Sequence, residues 1–223
     1  MRTLVRRVLS YIRFNKSEAK IEKKNLSSIA GFSIPFEVLE FSFLDVSLPY
    51  DLKYLWWSRV YEYPLVLDRL NVYGCTPNSK VHNSCWGFQG CHITFKEELE
   101  ALAGEVVNSD LKKSNLPNTT IYDVSRPARK EWLNKFDFVL NVSTVEEIRY
   151  PHVEVIQNLL SMCKTGGKLI ITFDFPGIQL PMLEKLFGRK ILGAVNPLTG
   201  SSSIVPDKSW ENLQVGVLVL ERK

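Results

Sequence analysis

The residues able to do chemistry fall into one short loop and three later points of the chain. Asn83-Ser84-Cys85-Trp86-Gly87-Phe88-Gln89-Gly90 is rich in small residues. Glycine in such a loop lets the backbone approach a ligand closely and adopt positive φ. Two acids follow, Asp110 at 23 residues after Gly87, and then Asp123 with Val124 beside it. A carboxylate at a strand end offers two acceptor oxygens, suited to a pair of ligand hydroxyls. A helix N-cap or a solvated loop acid is the competing reading of Asp110, and Asp123 is equally open. Glu146, Glu147 and His152 form the last group and could take a proton from a hydroxyl. For the glutamates, favourable charge at a helix N-terminus is the alternative.

Metal chemistry is not expected. Cys75, Cys85, Cys91 and Cys163 contain no CxxC pair, and with His82, His92 and His152 they show none of the usual zinc-ligand spacings. Reduced, buried thiols in a cytosolic protein are the simpler reading. Apolar residues make up 45% and charged residues 23% of the 223 positions, a globular composition that can bury a sizeable core. The net charge of +4 is uneven: residues 1–24 hold eight Lys/Arg against two Glu, so the rest of the chain is slightly acidic. Nucleic-acid binding by the folded body is therefore not expected. The longest apolar runs, such as Val217–Leu220, are far short of the ~20 residues that span a bilayer. Residues 1–24 lack the apolar stretch and cleavage site of a signal peptide, so a cytoplasmic location is expected.

These residues need a scaffold, and the pattern around them supplies one. Residues 1–24 read as a basic, partly amphipathic helix with Leu4, Val5, Val8, Leu9 and Ile12 on one side. It either packs on its own domain or makes a peripheral membrane contact through Arg6, Arg7 and Arg13. Residues 25–73 are aromatic-rich, with a helical stretch at 64–70, and read as a cap. From Ser79 the pattern is regular. Strands are expected at 80–84, 105–109, 119–122, 136–142, 168–173 and 213–221. Helices are expected at 95–102, 153–163 (closed by Gly166-Gly167) and 180–187. Alternating β and α at this spacing predicts an α/β fold, a mostly parallel, doubly wound Rossmann-like sheet with an N-terminal helical extension. The division drawn is 1–73 for extension and cap, and 74–223 for the sheet domain. Ligands of such sheets bind beyond the strands' carboxyl ends, at the point where strand order reverses.

The Lys-Thr-Gly-Gly-Lys turn before Leu169-Ile-Ile-Thr-Phe-Asp174 resembles the turn into the fifth strand of class I S-adenosylmethionine (SAM) methyltransferases. Phe136-Asp-Phe-Val-Leu-Asn141 is similar to that family's fourth strand, Glu105–Asp110 to its second strand with a terminal acid, and residues 213–221 to its antiparallel last strand. The resemblance covers residues 79–223 and implies SAM as cofactor. It places Asn83, Ser84, Cys85, Trp86, Gly87, Phe88, Asp110, Asp123, Val124 and Asn141 around SAM, and Glu146, Glu147 and His152 toward the acceptor. Asn83 stands where the family has an acid, Cys85 at the first loop glycine, and Gln89 at the third; Gly87 keeps the second. A small-molecule or glycan-precursor acceptor is implied by a looser likeness, carried by Glu62-Tyr63-Pro64 and 141–147, to methyltransferases linked to polysaccharide synthesis. Trp86–His92 also resembles the Gly-Phe-x-Gly-x-His loop of extended short-chain dehydrogenases, which bind NAD(P). Those enzymes need Tyr-x-x-x-Lys, whereas Tyr150 is followed at that spacing by Glu154. A catalytically silent binding module with the methyltransferase fold is the third reading.

Overall fold

The computed structural model describes residues 32–43, 52–54, 59–85, 90–112, 118–148, 151–175 and 214–223. Seven strands form one sheet: β1 (Phe36–Phe43), β2 (Lys80–Ser84), β3 (Glu105–Asp110), β4 (Thr119–Ile121), β5 (Phe136–Val142), β6 (Cys163–Phe175) and β7 (Gln214–Arg222). Three α-helices accompany them among the described residues: α1 (Arg59–Val72), α2 (Gly90–Leu102) and α3 (His152–Met162). The spatial order is β1-β7-β6-β5-β2-β3-β4. Strands β2 to β6 run parallel, while β7 lies antiparallel between β6 and β1. The chain builds outward from β2 through β3 to β4, then returns to the other side of β2 for β5 and β6. The order therefore reverses between β2 and β5, and their carboxyl ends flank the crevice. The fold is the Rossmann-like, mostly parallel α/β sheet that the alternating pattern predicts.

Two apolar layers sandwich the sheet. On one face α1 and α2 bury Tyr63, Leu65, Leu70, Phe95 and Leu99 against Val81, Phe138, Leu140 and Ile170. On the other face α3 buries Val155, Ile156, Leu159 and Leu160 against Val139, Leu169, Ile171 and Leu220. Pairs recurring four residues apart put all four α3 side chains on one stripe. Each fully buried aliphatic contributes about 1.5–3 kcal/mol. Consecutive β5 residues are buried from Phe138 to Val142, as a strand covered on both faces requires.

Element ends explain the glycines. After α1, Gly74 adopts φ +82°, the Cys75 N–H donates to the Leu70 carbonyl (2.8 Å), and the Gly74 N–H donates to that of Asn71 (3.1 Å). This is the paired-bond helix stop that a left-handed glycine allows. Gly166-Gly167 departs from expectation. Helix α3 ends at Met162 with Cys163 already extended, so the glycine pair is not its cap. Instead, β6 pairs with β5 at Cys163↔Phe136 and next at Lys168↔Phe138. The intervening residues bulge out, with Gly166 at φ +76°. A Cβ on Gly167 would meet the Phe136 carbonyl oxygen at 2.7 Å.

Residues 25–73, read as a cap, supply β1 and most of α1. The pairing of β1 with β7 slips between Val38 and Glu40, a bulge that interrupts the alternation of buried Phe36 and Val38 with half-buried Glu37 and Leu39. Arg69 of α1 grips the Glu40 carboxylate through Nε (2.6 Å) and a second nitrogen (2.8 Å), the two-pronged geometry that suits arginine. Helix α1 is longer than the expected 64–70, and α2 begins five residues before the expected 95. The expected helices over 1–24 and 180–187 lie outside the described residues. None of the described helices is long and apolar enough to cross a membrane.

Candidate functional site

The carboxyl end of β2 carries a backbone conformation few side chains adopt. Cys85 sits at φ +59°, with its N–H donating to the Ser109 carbonyl of β3 at 2.8 Å. This is the position aligned with the first loop glycine, and a Cβ there costs roughly 1–2 kcal/mol. The Ser84 hydroxyl donates to the Cys85 sulfur at 3.5 Å. Burial pushes the Cys85 thiol up to about 12, and the nearby charges of Asp110 and Asp123 add to the shift while Ser84 opposes it. The thiol stays protonated at physiological pH, so it is not a nucleophile. Trp86, Gly87 and Phe88 lie outside the described residues.

Asp110 and Asp123 come together around that thiol from the ends of β3 and β4. Each also has a local task. Asp110 Oδ1 accepts the Lys112 N–H at 3.2 Å. Asp123 Oδ1 accepts both the N–H (2.9 Å) and the hydroxyl (2.6 Å) of Ser125. Val124 is buried, and its carbonyl accepts the side-chain amide of Asn158 at 3.1 Å. Asn83 is buried in β2 and directs its Nδ2 across to Asn108 Oδ1 at 3.1 Å.

Asn141, near the end of β5, differs from all of these. It is fully buried, and neither Nδ2 nor Oδ1 makes a hydrogen bond among the described residues, although the Cys85 thiol lies beside it. An unsatisfied buried polar group costs about 1–3 kcal/mol. A ligand in the crevice between β2 and β5 would supply the missing partners.

The three expected acid–base residues do not form one group. Glu146 Oε1 accepts the Ser143 hydroxyl at 3.0 Å, while Glu147 is exposed. His152 is buried at the head of α3, its Nε2 3.2 Å from the Ile148 carbonyl. Burial lowers its pKa and that bond opposes the shift.

A second polar cluster lies at the same edge, on the side of α1 and α2. Glu62 is fully buried. Its Oε1 accepts the Thr172 hydroxyl of β6 at 2.6 Å, and its Oε2 pairs with Arg59 at 2.5 Å. Arg59 also reaches the Ser143 carbonyl at 3.3 Å, and Ser143 itself sits at φ +45°. One turn along α1, the Tyr63 hydroxyl is hydrogen-bonded to His92 Nδ1, and its ring stacks on Phe95 at 3.9 Å. Burial first, and the Arg59 charge second, lower His92 to about 4. Sequence reasoning missed this cluster. Arg59 and Glu62 carry a helical i,i+3 signal, but Ser143 and Thr172 are brought to them only by the sheet. Among the described residues no group of three or more metal-ligating side chains gathers.

No family model matches the chain, and no curated protein matches it in sequence. Solved structures do resemble it. The N-methyltransferase NodS from Bradyrhizobium japonicum is 11% identical with a TM-score of 0.44, over 71% of this chain and 93% of that one. The YcgJ protein from Bacillus subtilis is 9% identical with a TM-score of 0.46, over 73% and 98%. The trans-methyltransferase CalH, in complex with SAH, is 14% identical with a TM-score of 0.44, over 74% and 58%.

Proposed function

We propose that the protein is a SAM-dependent methyltransferase acting on a small-molecule acceptor. The observation that carries this reading is the convergence of Cys85, Asp110, Asp123 and Asn141 at the β2/β5 switch point, in a sheet whose last strand runs antiparallel. The dinucleotide-binding alternative is an extension of parallel strands, and the chain lacks the Tyr-x-x-x-Lys pair that short-chain dehydrogenases need.

The residues present fit SAM on two observations: a buried Asn141 amide with neither atom hydrogen-bonded, and a left-handed turn at Cys85 that turns the backbone as a loop glycine would. In this reading Asp110 accepts the ribose hydroxyls, and Asp123 with the Val124 N–H reads the adenine edge. The Cys85 turn, with Ser84 before it and Trp86, Gly87 and Phe88 after it, lines the approach. Asn83 and Asn141 border the amino acid part, with Asn83 held by Asn108. When bound, the sulfonium supplies the methyl group. The protein's part is alignment and exclusion of water, and orientation supplies ~7–11 kcal/mol in favourable cases. Glu146 is the best placed of the expected acid–base residues, because Ser143 pins it at the end of β5.

A glycan precursor is the acceptor class we favour, and residues 1–24 would add a peripheral contact with anionic membrane from the cytoplasmic side. Calorimetric titration with SAM, SAH and NAD tests the cofactor. Asp110→Ala should weaken SAM binding by about 10–150-fold, the worth of a charge-assisted hydrogen bond. Binding of NAD alone would establish the dehydrogenase reading, and binding of neither nucleotide the silent module.

A further inference from the structure

Arg59 and His92 each open a helix, and the two helices are long: α1 has 14 residues and α2 has 13. Arg59 is the first residue of α1 and His92 the third of α2. The Tyr63–His92 hydrogen bond and the Arg59 guanidinium 6.0 Å from the Tyr63 ring centre bring both amino-terminal turns to one place. That place is the sheet's carboxyl edge, since Arg59 also reaches Ser143 beyond β5. Helix N-termini carry partial positive charge and unsatisfied N–H groups, so the two ends reinforce one another there.

Two further observations give this convergence a ligand. His92 is 5% exposed, and while its Nδ1 is taken by Tyr63, its Nε2 has no partner among the described residues. Glu62 does not spoil the site for an anion, because its two oxygens are turned inward onto Thr172 and Arg59. The Arg59 side chain keeps 15% of its surface exposed.

We propose that Arg59 and His92, at the joined amino-terminal turns of α1 and α2, bind an oxyanion of the acceptor, a carboxylate or a phosphate. This names the substrate class of the proposed methyltransferase and rests on that reading only for the word acceptor; the anion site itself stands on its own geometry. Tyr63 is a positioning residue, because donation from its hydroxyl to Nδ1 fixes the tautomer that carries the proton on Nε2. The groups facing His92 are Tyr63 and Arg59 from α1, with Lys96 one turn on along its own helix and paired to Glu100. An oxyanion seated between Arg59 and His92 neutralises the charge that now depresses the imidazole, so anion binding and His92 protonation are coupled.

The test uses the full chain and nuclear magnetic resonance of its three histidines, with inorganic phosphate and acetate added separately at constant ionic strength. We expect saturable shifts of the His92 resonances, none at His82, and a His92 proton affinity raised about 10-fold, one pKa unit. Arg59→Lys should weaken binding about 10-fold, because it keeps the charge and loses the fork. Arg59→Gln should abolish binding, and Tyr63→Phe should change the ring's tautomer signature. Unchanged His82 resonances check that each variant is folded. Saturation by phosphate alone assigns a phosphate ester, by acetate as well a carboxylate; either supports the site. No saturable shift with either anion, or equal affinity in wild type and both Arg59 variants, overturns it. SAM calorimetry on the same samples separates the two ideas: SAM binding without anion binding sinks only the oxyanion site, and the reverse sinks only the cofactor assignment.

Discussion

The two edges of the parallel sheet are built on opposite principles. The amino edge is a belt of alternating charge. Lys80 and Lys135 flank Glu105 at 3.4 and 2.6 Å, Lys164 pairs with Asp137, and Lys168, Glu221, Lys223 and Glu37 continue the series. Its left-handed residues are Asn118 and Asn134, a type that tolerates that conformation well. At the carboxyl edge the left-handed residues are Cys85 and Ser143, which do not. A buried amide lacks partners there, and a fully buried carboxylate is held by an arginine. One edge satisfies itself within the protein; the other holds strain and unmet hydrogen-bonding capacity. Such departures from local consistency concentrate where function overrides stability.

The largest expected effect follows from burial. Glu62→Ala leaves Arg59 without its buried partner and should cost about 3–5 kcal/mol. Lys164→Ala in the exposed belt should cost at most about 1 kcal/mol. Chemical denaturation of both variants checks this, and equal losses would mean that the two edges are not energetically distinct.

A pH titration of stability sharpens the contrast next. His82 is fully buried in β2, its Nε2 3.0 Å from the Ser109 hydroxyl and its ring stacked on Phe136 at 5.0 Å. Burial, with the Lys135 charge adding, lowers it to about 3. Its folded pKa lies below the unfolded value near 6.5, so the unfolded chain takes up the proton first. Stability is therefore full above pH 6.5 and falls as pH drops toward 3, by about 1.4 kcal/mol per pH unit. His92, lowered to about 4, adds a similar slope over its narrower window. The belt acts lower still. Glu105 and Glu221 are held below the usual carboxylate range by hydrogen bonds from Lys135 and Lys223. At Asp137 burial acts upward but Lys164 and the Lys80 N–H outweigh it. These acids lose their contribution only as pH falls below about 4.5. The stability limb between pH 6.5 and 4.5 should flatten by one proton's slope in His82→Gln. A limb unchanged in that variant would remove His82 from the account.

The two edges also differ in how far the sequence discloses them. Strand β5 was readable because Phe136–Val142 is a nearly continuous apolar run, and its bounds match. Strand β2 was equally clear over Lys80–Ser84. Strand β1 was not: its bulge breaks the period-2 signal between Val38 and Glu40, and its partner β7 lies at the far end of the chain. Among candidate site residues, the gathering of Asp110 and Asp123 around Cys85 follows from strand ends and loop positions, which the α/β alternation locates. The Arg59–Ser143 contact spans 84 residues and the Tyr63–His92 contact 29. No local pattern encodes such meetings, because sheet order, not spacing, creates them.

Asn141 gives an effect of intermediate size and opposite sign. Asn141→Leu has similar volume and removes a buried amide whose hydrogen bonds are unmet among the described residues, so it should stabilise the protein by about 1–2 kcal/mol. The same change should reduce SAM affinity, because the amide would be satisfied by the ligand. Thermal melts and calorimetry on one preparation decide it. A destabilised variant with intact SAM binding would make Asn141 a structural residue and weaken the claim that this edge is kept unsatisfied for a ligand.

The smallest expected change is at Cys85, where strain and function are most easily separated. Cys85→Gly relieves a left-handed Cβ worth roughly 1–2 kcal/mol, but glycine returns about 0.5–1 kcal/mol through the greater freedom of the unfolded chain. The net gain should be no more than about 1 kcal/mol. Asn134→Gly, at φ +56° on the amino edge, should gain less, since asparagine already accepts that conformation. The thiol stays protonated and has no nucleophilic part, so Cys85→Gly should bind SAM at least as tightly as wild type, with the backbone turn kept and the side chain gone. Cys85→Val separates the backbone from the side chain in the other direction: a β-branched residue at positive φ is a true outlier, and it should lower both stability and SAM affinity. If Cys85→Gly were instead to lose SAM binding while melting at or above the wild-type temperature, the sulfur itself would be in contact with the ligand, and the turn would not be a glycine substitute at all.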